Sequence, residues 1–445
     1  MSQVGEGRDR ARGEPPPDRR RVRVRISLFF DGTGNNRANV RHREGDTRTY
    51  WWMRNTVPGP TASYENDLSN VVRLFENVEP TAAGFTAYLR VYTEGIGTTD
   101  GYTDSRLGAG TGTGSTGVRE KVSRGLRQAV AELSRRFPAS DTYLEHVSVD
   151  TCGFSRGAAA ARHCVQRVLD GTRGFRRLRS WLETMGYAVG QVDVPAVGLF
   201  DTVSSHGVTL ASYDNDVTEL GLDAIRQALA VYQLAAAEEY RTRFGLTTIE
   251  SAGGKGRQVY LPGAHSDVGG GYLTGPEDQT LVTGAGALPI ARFLLARGWY
   301  LGTTEGPELA YRAEIPGETF ATPYGPGFRP TIDARLAANR GVVRNAYSFI
   351  PLHLMADWFR ERGVPVRRAE LAAKYDPEGV PGRARIEAEA KSGRPTTARY
   401  WEDDPDPTLR DLRHGFLHIS FSTTPGMAPH MPPGSPRPWR IVFSG

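Results

Sequence analysis

Cysteine is nearly absent: Cys152 and Cys164 are the two in 445 residues. Two thiols outside a Cys-x-x-Cys pair exclude a disulfide-built scaffold and point to folding in a reducing cytoplasm. Long apolar runs are missing too, and no stretch reaches the length of a bilayer-spanning helix. Residues 1–20 lack the apolar centre of a secretory signal and carry Pro15, Pro16 and Pro17 in a row, so export would need another carrier. There is no zinc finger, RNA-binding signature or long basic helix, so the net charge of +5 implies no nucleic-acid partner. Much of that excess lies in Arg19, Arg20, Arg21, Arg23 and Arg25, which read as a solvated tail entering a strand.

What is present is ordinary globular composition, with 39% hydrophobic and 24% charged residues, enough to build a packed core. The expected organisation is a disordered basic tail over 1–20 and one large domain over 21–445, with an insertion at about 275–345. Strands are expected at 22–30, 86–92, 146–152, 195–200 and 258–261. Helices are expected at about 66–78, with Asn66 or Asp67 as N-cap, at 118–137 and at 158–169. Residues 40–65 show no periodicity. Strands alternating with helices indicate an α/β fold with a mainly parallel central sheet, of the α/β-hydrolase type, with inserted loops or a small cap region.

The chemistry concentrates at Gly153-Phe154-Ser155-Arg156-Gly157. Gly-x-Ser-x-Gly is short and recurs by chance, but here an apolar strand precedes it and an alanine-rich helix follows. That context turns the chain sharply and lifts the Ser155 hydroxyl off the sheet as a nucleophile. The bland alternative is a strand-to-helix corner with a capping serine. In hydrolases of this kind the chain order is serine, acid, histidine, each after a strand. Asp201 follows Val197–Phe200, and His265 follows Val259–Leu261. The Arg156 amide is one candidate oxyanion donor, and the Gly32 or Thr33 amide the second.

Rivals exist for each partner. His206 follows Asp201 closely, whereas the other seven histidines read as structural or surface residues. His42 and His430 fall in disorder-prone segments, and His414 and His418 flank a C-terminal strand. His265 is preferred for its glycine-rich setting, His265-Ser266-Asp267-Val268-Gly269-Gly270-Gly271. Asp267 stands too near His265 in sequence to support its ring from behind, and Asp31 is read as ordering the oxyanion loop.

Several segments resemble a bacterial α/β-hydrolase family that contains the type VI secretion phospholipase effectors. They are FFDGTGNN (29–36), YENDLSNVVRL (64–74), YTEGIGT (92–98), GFSRGAAAAR (153–162), GLFDTVSSHG (198–207), EEYRTRF (238–244) and LPGAHSDVGGGY (261–272), with IPLHLMADWF (350–359) and LRHGFLHISF (412–421) further on. The resemblance places the family's catalytic serine, aspartate and histidine on Ser155, Asp201 and His265. It implies a serine phospholipase acting on a phospholipid membrane surface. It also implies passage from the producer's cytoplasm into a target-cell periplasm, a secretion-spike partner and an immunity protein. At Tyr232-Gln233-Leu234-Ala235 the chain departs from the family's histidine-containing pattern, at a position read as structural. An esterase or thioesterase on a soluble substrate, and a non-catalytic binding protein on a hydrolase fold, are the alternatives.

Other signals are weaker. Gly112-x-Gly114-x-x-Gly117 matches a dinucleotide fingerprint, but residues 99–111 before it read as a loop. Pro405 and Pro407 break the spacing a calcium loop would need around Asp403, Asp404 and Asp406. No cofactor and no metal is expected. Tyr50-Trp51-Trp52-Met53 reads as core or loop packing, with a lipid-facing role as the alternative.

Overall fold

A computed structural model describes residues 8–9, 18–170, 177–205, 217–284, 286–314, 317–322, 325–330, 333–393, 397–424 and 426–445. The expected tail therefore lies largely outside the described residues, as does His206.

The sheet grows from the Arg20–Phe30 strand. Val22, Val24, Ile26, Leu28 and Phe30 point into one core, and Phe29 into the other. A strand buried on both faces needs no polar alternation, which accounts for its apolar end. Ala87–Thr93 pairs on one side of it and Thr142–Phe154 on the other, both parallel. The far edge of Thr142–Phe154 takes Ala188–Asp193 along its first half and Val197–Phe200 along its second. Val231–Ala236 and Gly256–Leu261 complete the parallel array. The two-residue strand Arg8–Asp9 adds an antiparallel pair beside Ala188–Asp193.

The chain leaves Arg20–Phe30 toward one edge of the sheet and returns through Thr142–Phe154 to build the other. Their carboxyl ends flank a topological switch point, where open α/β sheets bind ligands. Helices Val118–Arg136 and Arg156–Val165 cover one face, and Phe349–Glu361 packs against the other. Between the faces Arg25 grips Asp150 through two hydrogen bonds of 2.7 and 2.9 Å.

The 275–345 segment holds a three-stranded antiparallel sheet of Gly275–Thr283, Asp333–Val343 and Leu309–Glu314. The hairpin Gly317–Thr322/Gly325–Pro330 and the helix Ala287–Ala296 accompany it. Trp299 and Tyr300 are buried there rather than presented to a membrane. Among the described residues no helix is long and apolar enough to cross a membrane.

Several expectations need correction. Residues 40–65, which looked aperiodic, form parts of three short helices, Arg37–Glu44, Arg48–Asn55 and Ala62–Glu65. Each is too short to display a repeating face, and capping by Asn36 and Thr47 starts the first two. The helix expected at 66–78 is Asn70–Glu76, capped by Ser69, because Asp67 is drawn into an ion pair with Arg73. Residues 106–111 are helical rather than loop. His414 lies in the helix Pro407–Phe416, and no strand follows it at His418. His42 is likewise helical and bonded to Thr47, and the His430 amide bonds the Tyr240 carbonyl.

Candidate active site

Ser155 occupies the turn between the Thr142–Phe154 strand and the helix Arg156–Val165, with φ +59° and ψ −129°. A side chain seldom tolerates that backbone, so the surroundings must impose it. Its amide donates to the Phe200 carbonyl at 3.0 Å, and its carbonyl accepts from the Ala158 amide at 2.9 Å. The neighbouring glycines are required by crowding. A Cβ on Gly153 would stand 2.1 Å from the Gly157 carbonyl oxygen, and one on Gly157 would stand 2.2 Å from that of Asp31.

Phe154 and Phe200 are register partners, so Asp201 emerges beside Ser155. Asp201 also has positive φ, +47°. Its carboxylate is fully buried and triply held. Oδ1 accepts from the Ala236 amide at 2.7 Å. Oδ2 accepts from His265 Nδ1 at 2.5 Å and from Arg440 Nη2 at 2.9 Å. Burial works to raise this carboxyl, but Arg440 and His265 outweigh it and hold it at about 2.

His265 opens the short helix His265–Gly269. Its ring lies between Phe154 at 4.6 Å and Phe244 at 5.1 Å, centroid to centroid. With Nδ1 committed to Asp201, Nε2 is left as acceptor and has no partner among the described residues. Burial lowers the imidazole below its ordinary value, and Asp201 pulls the other way without cancelling it. The structure thus joins Asp201 to His265 directly and sets both beside the Ser155 turn. No hydrogen bond links Ser155 Oγ to His265; such bonds are often long before substrate binds.

The rivals have other duties. Asp267 accepts from His418 Nδ1 at 2.8 Å and from the Ala264 amide at 2.9 Å, which bends the loop ahead of His265. Asp31 Oδ1 accepts from the Gly32 amide at 2.8 Å and from Ser69 Oγ at 2.5 Å, and Oδ2 from the Tyr92 hydroxyl at 2.7 Å. Burial nevertheless raises its carboxyl to about 6. The Gly32 amide is therefore spent on Asp31, which corrects its place as an oxyanion donor. The amides of Thr33 and Arg156 have no acceptor among the described residues.

Some contributors carry no motif. Arg440 reaches Asp201 from a distant part of the chain, held there by Val442–Phe443 pairing with Leu246–Thr247. Nothing short of three-dimensional contact marks it; its one sequence signal is a lone arginine inside a strand-like run. Glu239 accepts the His265 amide at 3.2 Å and is itself gripped by Arg241. Glu238 accepts the Gly263 amide at 2.9 Å and pairs with Arg413 at 2.6 Å. Gln233 accepts from Thr202 Oγ1 and donates to the Thr247 carbonyl, so it braces the turn that carries Asp201. Among the described residues no cluster of three or more His, Cys, Asp or Glu side chains could hold a metal ion. Asp403 instead pairs with Arg297 and Arg437, and Asp404 and Asp406 both pair with Arg385.

Replacing Arg440 by Met is expected to destabilise the fold by about 3–5 kcal/mol, because it leaves the buried Asp201 carboxylate without its guanidinium partner. Chemical denaturation monitored by tryptophan fluorescence measures this. A variant within about 1 kcal/mol of wild type would show that the pair does not hold the C-terminal segment.

Residues 181–285 match the family model described as T6SS, Phospholipase effector Tle1-like, catalytic domain. The span includes Asp201 and His265. No curated protein matches the chain. Among solved structures, one described as the Tle1 effector bound to the VgrG spike from the Type 6 secretion system shares 22% identity with a TM-score of 0.57. That match covers 96% of this chain and 94% of that one. An uncharacterized protein from Pseudomonas aeruginosa shares 17% identity, with a TM-score of 0.42 over 86% of this chain and 53% of that one. Over residues 181–285, then, the chain is similar to the catalytic domain of the Tle1-like phospholipase effectors of type VI secretion systems, and over nearly all its length it shares the fold of such an effector.

Proposed function

We propose that the chain is a serine phospholipase of the type VI effector class, cleaving acyl esters of membrane phospholipids. The observation that carries this reading is the buried Asp201–His265 hydrogen bond set beside the Ser155 turn. His265 takes the Ser155 proton through Nε2, and Asp201 fixes the tautomer and stabilises the imidazolium. Ser155 attacks the ester carbonyl. The Thr33 and Arg156 amides receive the oxyanion at the N-terminus of the helix Arg156–Val165, where the helix dipole favours negative charge. The intermediate collapses as the ester C–O bond breaks and His265 returns its proton to the leaving lysolipid alcohol; water, deprotonated in turn by His265, then releases the fatty acid from the acyl-enzyme. Delivery on a secretion spike into a target periplasm belongs to the same reading, as does an immunity protein in the producer.

The aromatic run divides in a way that supports a bilayer as the partner. Tyr50 and Met53 are buried, whereas Trp51 and Trp52 are 48% and 55% exposed. Tyr102, 62% exposed, lies on the loop whose Gly101 neighbours Thr49. Amphipathic rings of this kind favour the membrane–water interface. Trp51 and Trp52 lie on the helix Arg48–Asn55, one short helix beyond the Gly32–Asn36 loop, and Asn66 bonds the Gly34 carbonyl at 3.0 Å.

The decisive assay is fatty-acid release from mixed phospholipid liposomes. Ser155→Ala is expected to abolish it, by a factor of about 10³ or more, while the protein stays folded. Release that persists in the variant removes Ser155 as nucleophile.

Because the neutral imidazole is the base and burial lowers His265, kcat/KM is expected to fall with acidification only below the ordinary histidine range. An acid limb above that range contradicts the assignment.

Trp51→Ala combined with Trp52→Ala is expected to weaken sedimentation with anionic vesicles by about tenfold, leaving hydrolysis of a soluble short-chain ester within about twofold. Equal sedimentation by both proteins would place membrane contact elsewhere.

A further inference from the structure

Buried arginines in this fold are as a rule matched to carboxylates. Arg25, Arg73, Arg241, Arg340, Arg413 and Arg440 meet Asp150, Asp67, Glu239, Glu277, Glu238 and Asp201. Arg156 is different. It is 7% exposed, and no carboxylate faces it among the described residues. Arg162 has no ion pair among the described residues either, but Asp223 acts on its charge and it donates to the Leu222 and Thr248 carbonyls.

The position of the Arg156 guanidinium is fixed by two bonds. Nε donates to Thr33 Oγ1 at 2.8 Å, and Nη2 donates to the Ala109 carbonyl. It therefore lies against the loop that supplies the Thr33 amide, at the start of a ten-residue helix. Nη1 is shielded from water and has no hydrogen-bonding partner among the described residues. A shielded, unmatched guanidinium is unfavourable, and it keeps its charge at neutral pH, since burial lowers it only to about 10. Three donors on Thr33 and Arg156, whose side chains touch at 2.8 Å, thus lack an acceptor among the described residues: the Thr33 amide, the Arg156 amide and Nη1. An ester oxyanion engages the two amides and leaves the guanidinium for a second negative group on the same substrate.

We propose that the Arg156 side chain receives the phosphodiester of the lipid headgroup, and so makes the site selective for phosphate-bearing esters over neutral glycerides. The proposal rests on the acyl-transfer reading and adds the part of the substrate that is recognised. A planar guanidinium suits a phosphate oxygen pair better than an ammonium does. Arg156 also ties the glycine-rich Gly108–Gly117 segment to the Thr33 loop, which gives that segment a role unrelated to a nucleotide.

The test uses two soluble substrates with the same chains, dihexanoyl phosphatidylglycerol and dihexanoylglycerol, with wild type, Arg156→Lys and Arg156→Gln. The expected result is a phospholipid-to-glyceride ratio of kcat/KM that falls about 30-fold or more in Arg156→Gln, chiefly through KM, and recovers in part in Arg156→Lys. A ratio unchanged in Arg156→Gln overturns the proposal and leaves the side chain as a brace for the Thr33 loop. Thermal unfolding of the three proteins separates either result from loss of fold. Inorganic phosphate added to the glyceride assay distinguishes the source of the anion. Competition by phosphate in a wild type that shows no preference for the phospholipid means a free-phosphate site, and overturns the lipid assignment. A wild type that cleaves neither ester removes the acyl-transfer reading itself, a result distinct from an unchanged ratio.

Discussion

The Asp201 carboxylate lies wholly out of water between an imidazole, a guanidinium and a backbone amide. An isolated charge in that position would be very costly, and its partners make it tolerable. Each partner comes from a different part of the chain: His265 from the loop after Gly256–Leu261, Ala236 from the neighbouring strand, Arg440 from the C-terminal segment. The geometry of the imidazole, the seating of residues 440–443 and the end of the parallel sheet are therefore one problem with one solution. Glu239 extends it by holding the His265 backbone, and Gln233 by bracing Thr202.

Around this carboxylate the site is built from carboxyl ends of parallel strands. The strand order alone brings Asp31, Ser155 and Asp201 to one rim, because their strands are neighbours in register. What differs among the three aspartates nearby is their company. Asp201 faces the Arg440 guanidinium and the His265 ring N–H and stays ionised, whereas Asp31 meets hydroxyls and one amide, and burial raises it. Asp267 spends its oxygens on His418 and on the turn ahead of His265. Environment, more than residue type, sorts an aspartate that pairs with an imidazole from one that holds a loop.

Legibility in the sequence followed the range of the interactions. The parallel strands were readable because burial on both faces leaves continuous apolar runs such as Leu28-Phe29-Phe30. The Ser155 turn was readable because its crowding demands Gly153 and Gly157. The helices between Arg37 and Glu65 escaped, since two turns cannot establish a period. The start at Asn70 was misjudged because an ion pair with Arg73 takes Asp67 away from capping. Arg440 and the unmatched Arg156 guanidinium were illegible for a deeper reason. A charge reveals its partner, or the lack of one, only when the chain has folded.

Arg440 also imposes an order in time. The sheet, the Ser155 turn and His265 are all encoded before residue 270, but the guanidinium that steadies Asp201 is added some 170 residues later. A chain still growing on the ribosome can form the parallel sheet and yet hold its acid without a counter-cation. For an enzyme whose proposed substrate surrounds the cell that makes it, the site is completed only as synthesis reaches the C-terminal segment.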